Sequence, residues 1–340
     1  MVYVIKEPIF FERNRVRRVY TGGKLFGKFF GDKPEDGFYP EEWIASNVRA
    51  LNKEIESERD GVSRTESGRW FDEVLEKNPQ EMLGKGKKMR ILVKALDSAV
   101  RLPAQAHPDK AYSRKYFNSE YGKTECWVIL DTREDALLYF GFKDGVDKEQ
   151  FSKAIEGSRY SPDAMEKLMC RIKPKKGDVF LVPAKTVHAI GAGCLILEIQ
   201  EPTDFTIQPE HKCGDYELNN DEMCMGLNLE QALECFEFGT AQEAKIQPRT
   251  IIDKDGVRVE KLIDMENTDC FCINRITLEN SEYVLFVKDS FGIYIVTEGS
   301  GRLTGADYER DVKKGDYFFM PASLMGQVRV CGDMEIIECF

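Results

Sequence analysis

Positive charge, long hydrophobic runs and paired cysteine motifs are all scarce in this 340-residue sequence. Against 48 basic side chains stand 59 acidic ones, a formal net charge of −11. That balance argues against a general nucleic-acid or anionic-membrane surface, since both need an excess of Lys and Arg; a small anionic substrate in a locally basic pocket stays open. No apolar run approaches the ~20 residues needed to span a bilayer. The opening MVYVIKEPIFFERNRVRR mixes acids with bases around a short apolar run, unlike a secretory leader. The ten cysteines (126, 170, 194, 213, 224, 235, 270, 272, 331, 339) contain no C-x-x-C pair. They read as reduced thiols of a cytoplasmic protein, mostly small core fillers in runs such as GCLILEI and MEIIECF, and a Cys zinc knot is the weaker reading. Histidine is scarcer still, with three.

What the chain has is a repeat. Residues 175–188 read KKGDVFLVPAKTVH and residues 313–326 read KKGDYFFMPASLMG, with His188 ending the first copy and Gly326 the second. Short apolar runs between turns (MRILVKALD, ECWVILD, ALLYFGF, DVFLVPA, CLILEIQ) predict strands from residue 89 onward. Helical spacing is read in PEEWIASNVRAL, RWFDEVLEKNPQEML, DKEQFSKAIEGS, SPDAMEKLMCRI and LNLEQALECFEF. A polar stretch near 240–250 (TAQEAKIQPRT) reads as a linker, and beyond it nearly everything is strand and turn. Many short strands with Gly-rich turns point to jelly rolls. The expected fold is mainly β: a unit over 1–240 with helical insertions at about 36–95 and 146–172, then a second unit over 241–340.

The repeated phrase, Gly177, five residues, Pro183, then His188, resembles the second motif of the cupin jelly rolls, G-x5-P-x-G-x-x-H, with Lys185 where Gly is usual. In that family the histidine binds a metal, and a companion motif supplies the other ligands. Upstream stand Gln105 and His107, then Glu125. Extended residues i and i+2 face one side, so Gln105 and His107 can reach a common point. Two imidazoles, a carboxylate and an amide oxygen suit a borderline divalent ion, most simply one Zn2+ per chain, with a position left for water or substrate. A single His beside an apolar strand is usually a hydrogen-bonded core residue, but here two of three histidines fall on the two motif positions. No His follows residue 211, so the second unit is expected to be metal-free and structural.

Taken together, LPAQAHPDKAY, GKTECWVIL, VPAKTVHAIGAG and LILEIQ resemble the type I phosphomannose isomerases of the short bacterial kind, with VYTGGKLFGKFFG and EEWIAS similar to that family's opening segments. The resemblance implies two cupin barrels in tandem, zinc on Gln105, His107, Glu125 and His188, and interconversion of an aldose phosphate and a ketose phosphate through a cis-enediol. It places Lys123 and the pocket carboxylate Glu198 in catalytic positions. Gln208 falls where the family carries an arginine in E-x-Q-x-x-S/T-D-x-T-Y-R, and Pro103 where it commonly has Ser. Lys212 is the nearest sequence candidate to replace that arginine. GKT at 122–124 is no phosphate loop, because Phe117 stands where its first Gly is needed; Gly191-Ala192-Gly193 reads as a hairpin turn. Two functions follow: a zinc-dependent isomerase of a small sugar or sugar phosphate, or a zinc cupin that binds a sugar without turning it over.

Overall fold

The computed structural model describes residues 6–52, 57–161, 163–239 and 244–340. Strands account for 36% of the described residues and helices for 16%. Two large antiparallel sheets carry the architecture. The seven-stranded one runs Lys245–Ile246, Val179–Val182, Glu125–Thr132, Cys194–Gln200, Leu92–Asp97, Glu41–Ile44, Arg15–Val16. The eight-stranded one is built on Tyr317–Met320, Gly292–Thr304, Arg329–Cys339 and Ile273–Val284. Ile9–Phe10 pairs with Tyr317–Met320, so the start of the chain joins the C-terminal sheet, while Lys245–Ile246 pairs back onto the first sheet.

Side-chain alternation explains how these sheets stack. In the strand CLILEIQ, Leu195, Leu197 and Ile199 belong to one apolar layer together with Cys126 and Val128 and with Ile293, Ile295, Phe319 and Ile337 of the C-terminal sheet. Each such side chain, taken out of water, contributes about 1.5–3 kcal/mol. The alternate residues Leu96, Trp127, Ile129 and Ile196 lie in the core on the other side of the first sheet. Period two therefore sends Lys94, Glu125 and Glu198 to that same inner side, since Val93, Ala95, Cys126, Leu197 and Ile199 face the shared layer.

Helices form over Phe71–Lys77, Pro79–Leu83, Lys148–Gly157, Asp163–Glu166 and Leu229–Leu233, as the spacing predicts. Two segments differ. PEEWI is not a helix start: Glu41–Ile44 is a fully buried strand paired with Leu92–Asp97, where Trp43 and Ile44 gain more by burial than Glu41 and Glu42 lose in helix propensity. The tail of SPDAMEKLMCRI is strand Met169–Ile172, paired with Leu138–Phe142. Residues 191–193 turn between strands of different sheets, since His188–Ile190 pairs with Leu138–Phe142 and Cys194–Gln200 with Leu92–Asp97 and Glu125–Thr132, so this is not a hairpin. Of the expected linker, residues 240–243 lie outside the described residues, and 245–246 and 249–254 are strand.

The repeat is also visible in strand register. Glu198 lies opposite Lys94 and Trp127; Glu338 lies opposite Asn274 and Tyr294. Glu125 faces Val182, and Gly292 faces Met320 at the matching place. A Cβ on Gly292 would sit 2.7 Å from the Tyr294 ring. The ring thus fills the space that a longer side chain at 292 would need, and Tyr294 Oη donates to Glu338 Oε1 at 2.8 Å. At the other end, Gly326 has φ +78°, whereas His188 lies in a strand. The two chain paths diverge after the shared proline, so Gly326 is a turn residue rather than a truncated histidine. Removing the Tyr294 hydroxyl leaves a buried carboxyl short of a donor. Tyr294→Phe should cost about 1–3 kcal/mol in chemical denaturation, and an unchanged midpoint would show that Asn274 alone satisfies Glu338.

Candidate metal centre and adjoining pocket

Three extended segments converge on the inner side of the first sheet. Glu125 opens its strand, and His188 opens the short strand His188–Ile190. Gln105 and His188 exchange both backbone hydrogen bonds, each 2.9 Å, as an antiparallel pair. Directly opposed residues of such a pair present their side chains to one side, so Gln105 faces the same region as His188. One ligand atom each of His107, Glu125 and His188 lies within 4.8 Å of the other two, and all three residues are buried. Gln105 is 8% exposed and lines the adjoining cavity.

The hydrogen bonds define the imidazole tautomers. His107 Nδ1 lies 2.9 Å from the Phe205 carbonyl, and His188 Nδ1 lies 2.9 Å from the Thr186 carbonyl. Each Nδ1–H is spent on a backbone oxygen, which leaves a lone pair on each Nε2. Burial, together with Lys123, lowers the His107 pKa to about 3. His188 is lowered as well, by burial first. The two Nε2 lone pairs nevertheless point at a carboxylate: His107 Nε2 is 3.2 Å from Glu125 Oε2 and His188 Nε2 is 3.4 Å from Glu125 Oε1. Burial alone would raise the Glu125 pKa, but Lys123 and the two histidines hold it well below the usual carboxylate range. His188 Nε2 and Glu125 Oε2 are buried with no hydrogen-bond partner. Converging lone pairs on buried, unpartnered atoms fit a cation, and a set of nitrogen and oxygen donors fits a borderline divalent one. Trp127 Nε1 donates to Glu125 Oε1 at 3.0 Å and steadies the carboxylate. Lys123 Nζ, 3.0 Å from His107 Nε2 and 3.4 Å from Glu125 Oε2, reaches the same point.

Beside this group opens a cavity of about 470 Å³. Lys123, Glu198 and Gln208 all line it. Gln208 Nε2 donates to the Glu222 carbonyl at 3.1 Å. Lys212 does not line it; it sits in the two-stranded hairpin of Lys212–Cys213 with Tyr216–Glu217, 3.8 Å from the Glu217 carboxylate. Buried charges missed in the sequence complete the wall. Arg18 binds Asp204 through both Nη atoms and Glu41 through Nε. Lys94 lies 3.3 Å from Glu198, 3.6 Å from Asp204 and 3.9 Å from Glu41. Burial, with the charge of Glu125, raises the Glu198 pKa to about 7, against the pull of Lys94. Lys94 had a legible signal, a lone cation in the apolar run ILVKAL. Arg18 had none: it is one arginine of a basic run.

Fold and site together define a mainly β protein with a cupin domain and a buried His–Glu–His group able to hold a metal ion: residues 262–340 match the family model "Mannose-6-phosphate isomerase, cupin domain". The mannose-6-phosphate isomerase ManA of Bacillus subtilis is 32% identical over 255 residues, 74% of this chain and 75% of that protein. The chain therefore belongs to the mannose-6-phosphate isomerase family, the type I phosphomannose isomerases. A mannose-6-phosphate isomerase of Streptococcus mutans is 27% identical over 338 residues, 97% of both chains. Among solved structures, the mannose 6-phosphate isomerase of Bacillus subtilis superposes with a TM-score of 0.78 at 26% identity, covering 98% of this chain and 99% of that one. The apo enzyme of Salmonella typhimurium shares the fold, with a TM-score of 0.73 at 15% identity and 99% coverage of both chains.

Proposed function

We propose that the protein is a zinc-dependent aldose–ketose isomerase acting on mannose 6-phosphate and fructose 6-phosphate or a related sugar, built as two cupin-type barrels in tandem that divide near residue 240. Converging unpartnered donors beside a cavity with a buried carboxylate carry this reading. Gln105, His107, Glu125 and His188 would hold the zinc, one ion per chain. When bound, the ion supplies Lewis-acid stabilisation of negative charge on the substrate oxygens at C1 and C2. Glu198 would move the proton between C1 and C2, because its pKa near 7 lets it take up and return a proton at neutral pH. Lys94 would orient that carboxylate, and Lys123 and Gln208 would hold the substrate hydroxyls.

Among the described residues no helix is long and apolar enough to cross a membrane; a cytoplasmic setting is proposed from the ten cysteines of the sequence, which form no C-x-x-C pair or regular framework. The test is metal-dependent proton exchange at C2 of the aldose. Chelation should abolish it and added Zn2+ should restore it. Exchange indifferent to chelator would overturn the zinc role, and metal-dependent sugar binding without exchange would leave a binding module instead.

A further inference from the structure

We propose that Arg18 is a positioning residue of this site: by holding Glu41 and Asp204 it leaves Lys94 to Glu198, the carboxylate that would move the proton. The inference rests on the isomerase reading above and adds to it a residue whose hydrogen bonds go to neither the metal group nor Glu198. Three carboxylates surround the buried Lys94 ammonium, Glu198 at 3.3 Å, Asp204 at 3.6 Å and Glu41 at 3.9 Å. One ammonium cannot serve all three equally, because attraction falls with distance and each carboxylate withdrawn from water needs a counter-charge. Arg18 decides the competition. Its Nε donates to Glu41 Oε1 at 3.0 Å, while Nη1 and Nη2 clasp Asp204 at 3.0–3.1 Å. Nη1 also donates to Asn52 Oδ1.

Other donors complete the hold on the two carboxylates that Arg18 binds. Glu41 accepts from Tyr20 Oη and from Trp43 Nε1, the latter at 2.6 Å, and Asp204 Oδ2 accepts the Leu51 N–H at 2.9 Å. Glu198 stands apart: its ion pair is with Lys94, the residue directly opposite it in the sheet. In this part of the wall two cations thus face three carboxylates, and the one with the least support is the one that would exchange a proton. Without the guanidinium, Lys94, already 3.6 Å from Asp204 and 3.9 Å from Glu41, becomes the counter-charge of both. A guanidinium presents five N–H groups in a planar fork and can span two carboxylates, whereas an ammonium is a point charge. In Arg18→Lys one of the two therefore loses its cation and draws Lys94 away from Glu198.

Arg18→Ala would strand two carboxylates with little access to water and threaten the fold, so the test uses Arg18→Lys, which keeps the charge and loses the span. Turnover of mannose 6-phosphate by the zinc-loaded full chain is followed in D2O by NMR, as deuterium entry at C2. The expected kcat is about 10- to 100-fold below wild type, the scale on which a misplaced reacting group costs rate. KM should stay within about threefold, since no substrate contact is removed, and zinc should stay at about one per chain. In a Lys94→Met background the same substitution should change kcat by less than about threefold, because the two residues act as one unit. A crystal structure of Arg18→Lys should place Lys94 Nζ nearer to Asp204 or Glu41 than to Glu198. The proposal is overturned by a wild-type kcat, by an effect confined to KM, by a fully additive loss in the Lys94→Met background, or by Lys94 remaining nearest to Glu198. If wild type turns over no sugar phosphate, the isomerase reading fails separately, and the position of Lys94 in the variant structure decides whether Arg18 places it.

Discussion

His188→Ala should lose its bound zinc and, with it, about 10³-fold or more in turnover. Wild-type protein is expected to carry about one zinc per chain, because the converging donors lie in the first unit and Gly292 and Tyr294 stand at the corresponding places of the second. Without His188 the remaining donors include a neutral His107 and a Glu125 that Lys123 already contacts, so the Lys123 ammonium competes with a metal ion for the same atoms. Lewis-acid stabilisation is worth several kcal/mol, and each 1.36 kcal/mol is a factor of ten in rate. Elemental analysis and proton exchange are the two readouts. A variant that keeps full zinc stoichiometry would remove His188 from the ligand set, whatever its rate.

Glu198→Gln should cut the rate by about 10² to 10⁴ while leaving zinc in place, since a positioned general base typically contributes that much. The amide matches the carboxylate in shape but takes up no proton. Burial and the charge of Glu125 raise the Glu198 pKa from 4.5 to about 7, so the base form is lost on acidification and kcat/KM should fall as pH drops through that region. A divalent ion on Glu125 favours the ionised form of Glu198, which moves this limb to about 7 or below. In the glutamine variant the limb should vanish; its survival would place the proton transfer on another group. The same shift acts on stability with the opposite sense from a paired carboxylate. Between about 4.5 and 7 the folded chain holds a proton that the unfolded chain has released, so this group's contribution declines as pH rises through that window.

Much of the buried His–Glu–His group was legible beforehand because its signals are local. The phrase ending in His188, His107 two residues after Gln105, and Glu125 at the head of an apolar strand are all short-range patterns. Glu198 was legible because an acid in the alternating run LILEI must face inward. PEEWI misled because Pro followed by acids is a sound helix-start signal, and only pairing with Leu92–Asp97 overrides it. Arg18, Glu41, Lys94 and Asp204 were not assembled from the sequence at all, although all four line the cavity.

The sequence by itself determined a mainly β chain, an internal repeat, the segments that converge on the His–Glu–His group, and the absence of imidazole from the second copy. Those properties depend on side-chain periodicity and spacing within a few residues, which the chain carries wherever it goes. Only the tertiary structure decided that Arg18 meets Asp204 across 186 positions, that Lys94 lies opposite Glu198, and that the Tyr294 ring fills the space above Gly292. Each is a consequence of strand register and loop return. A shift of one residue would turn Lys94 and Glu198 from the cavity to the apolar layer, and that register is set by burying Leu195, Leu197 and Ile199 against the other sheet.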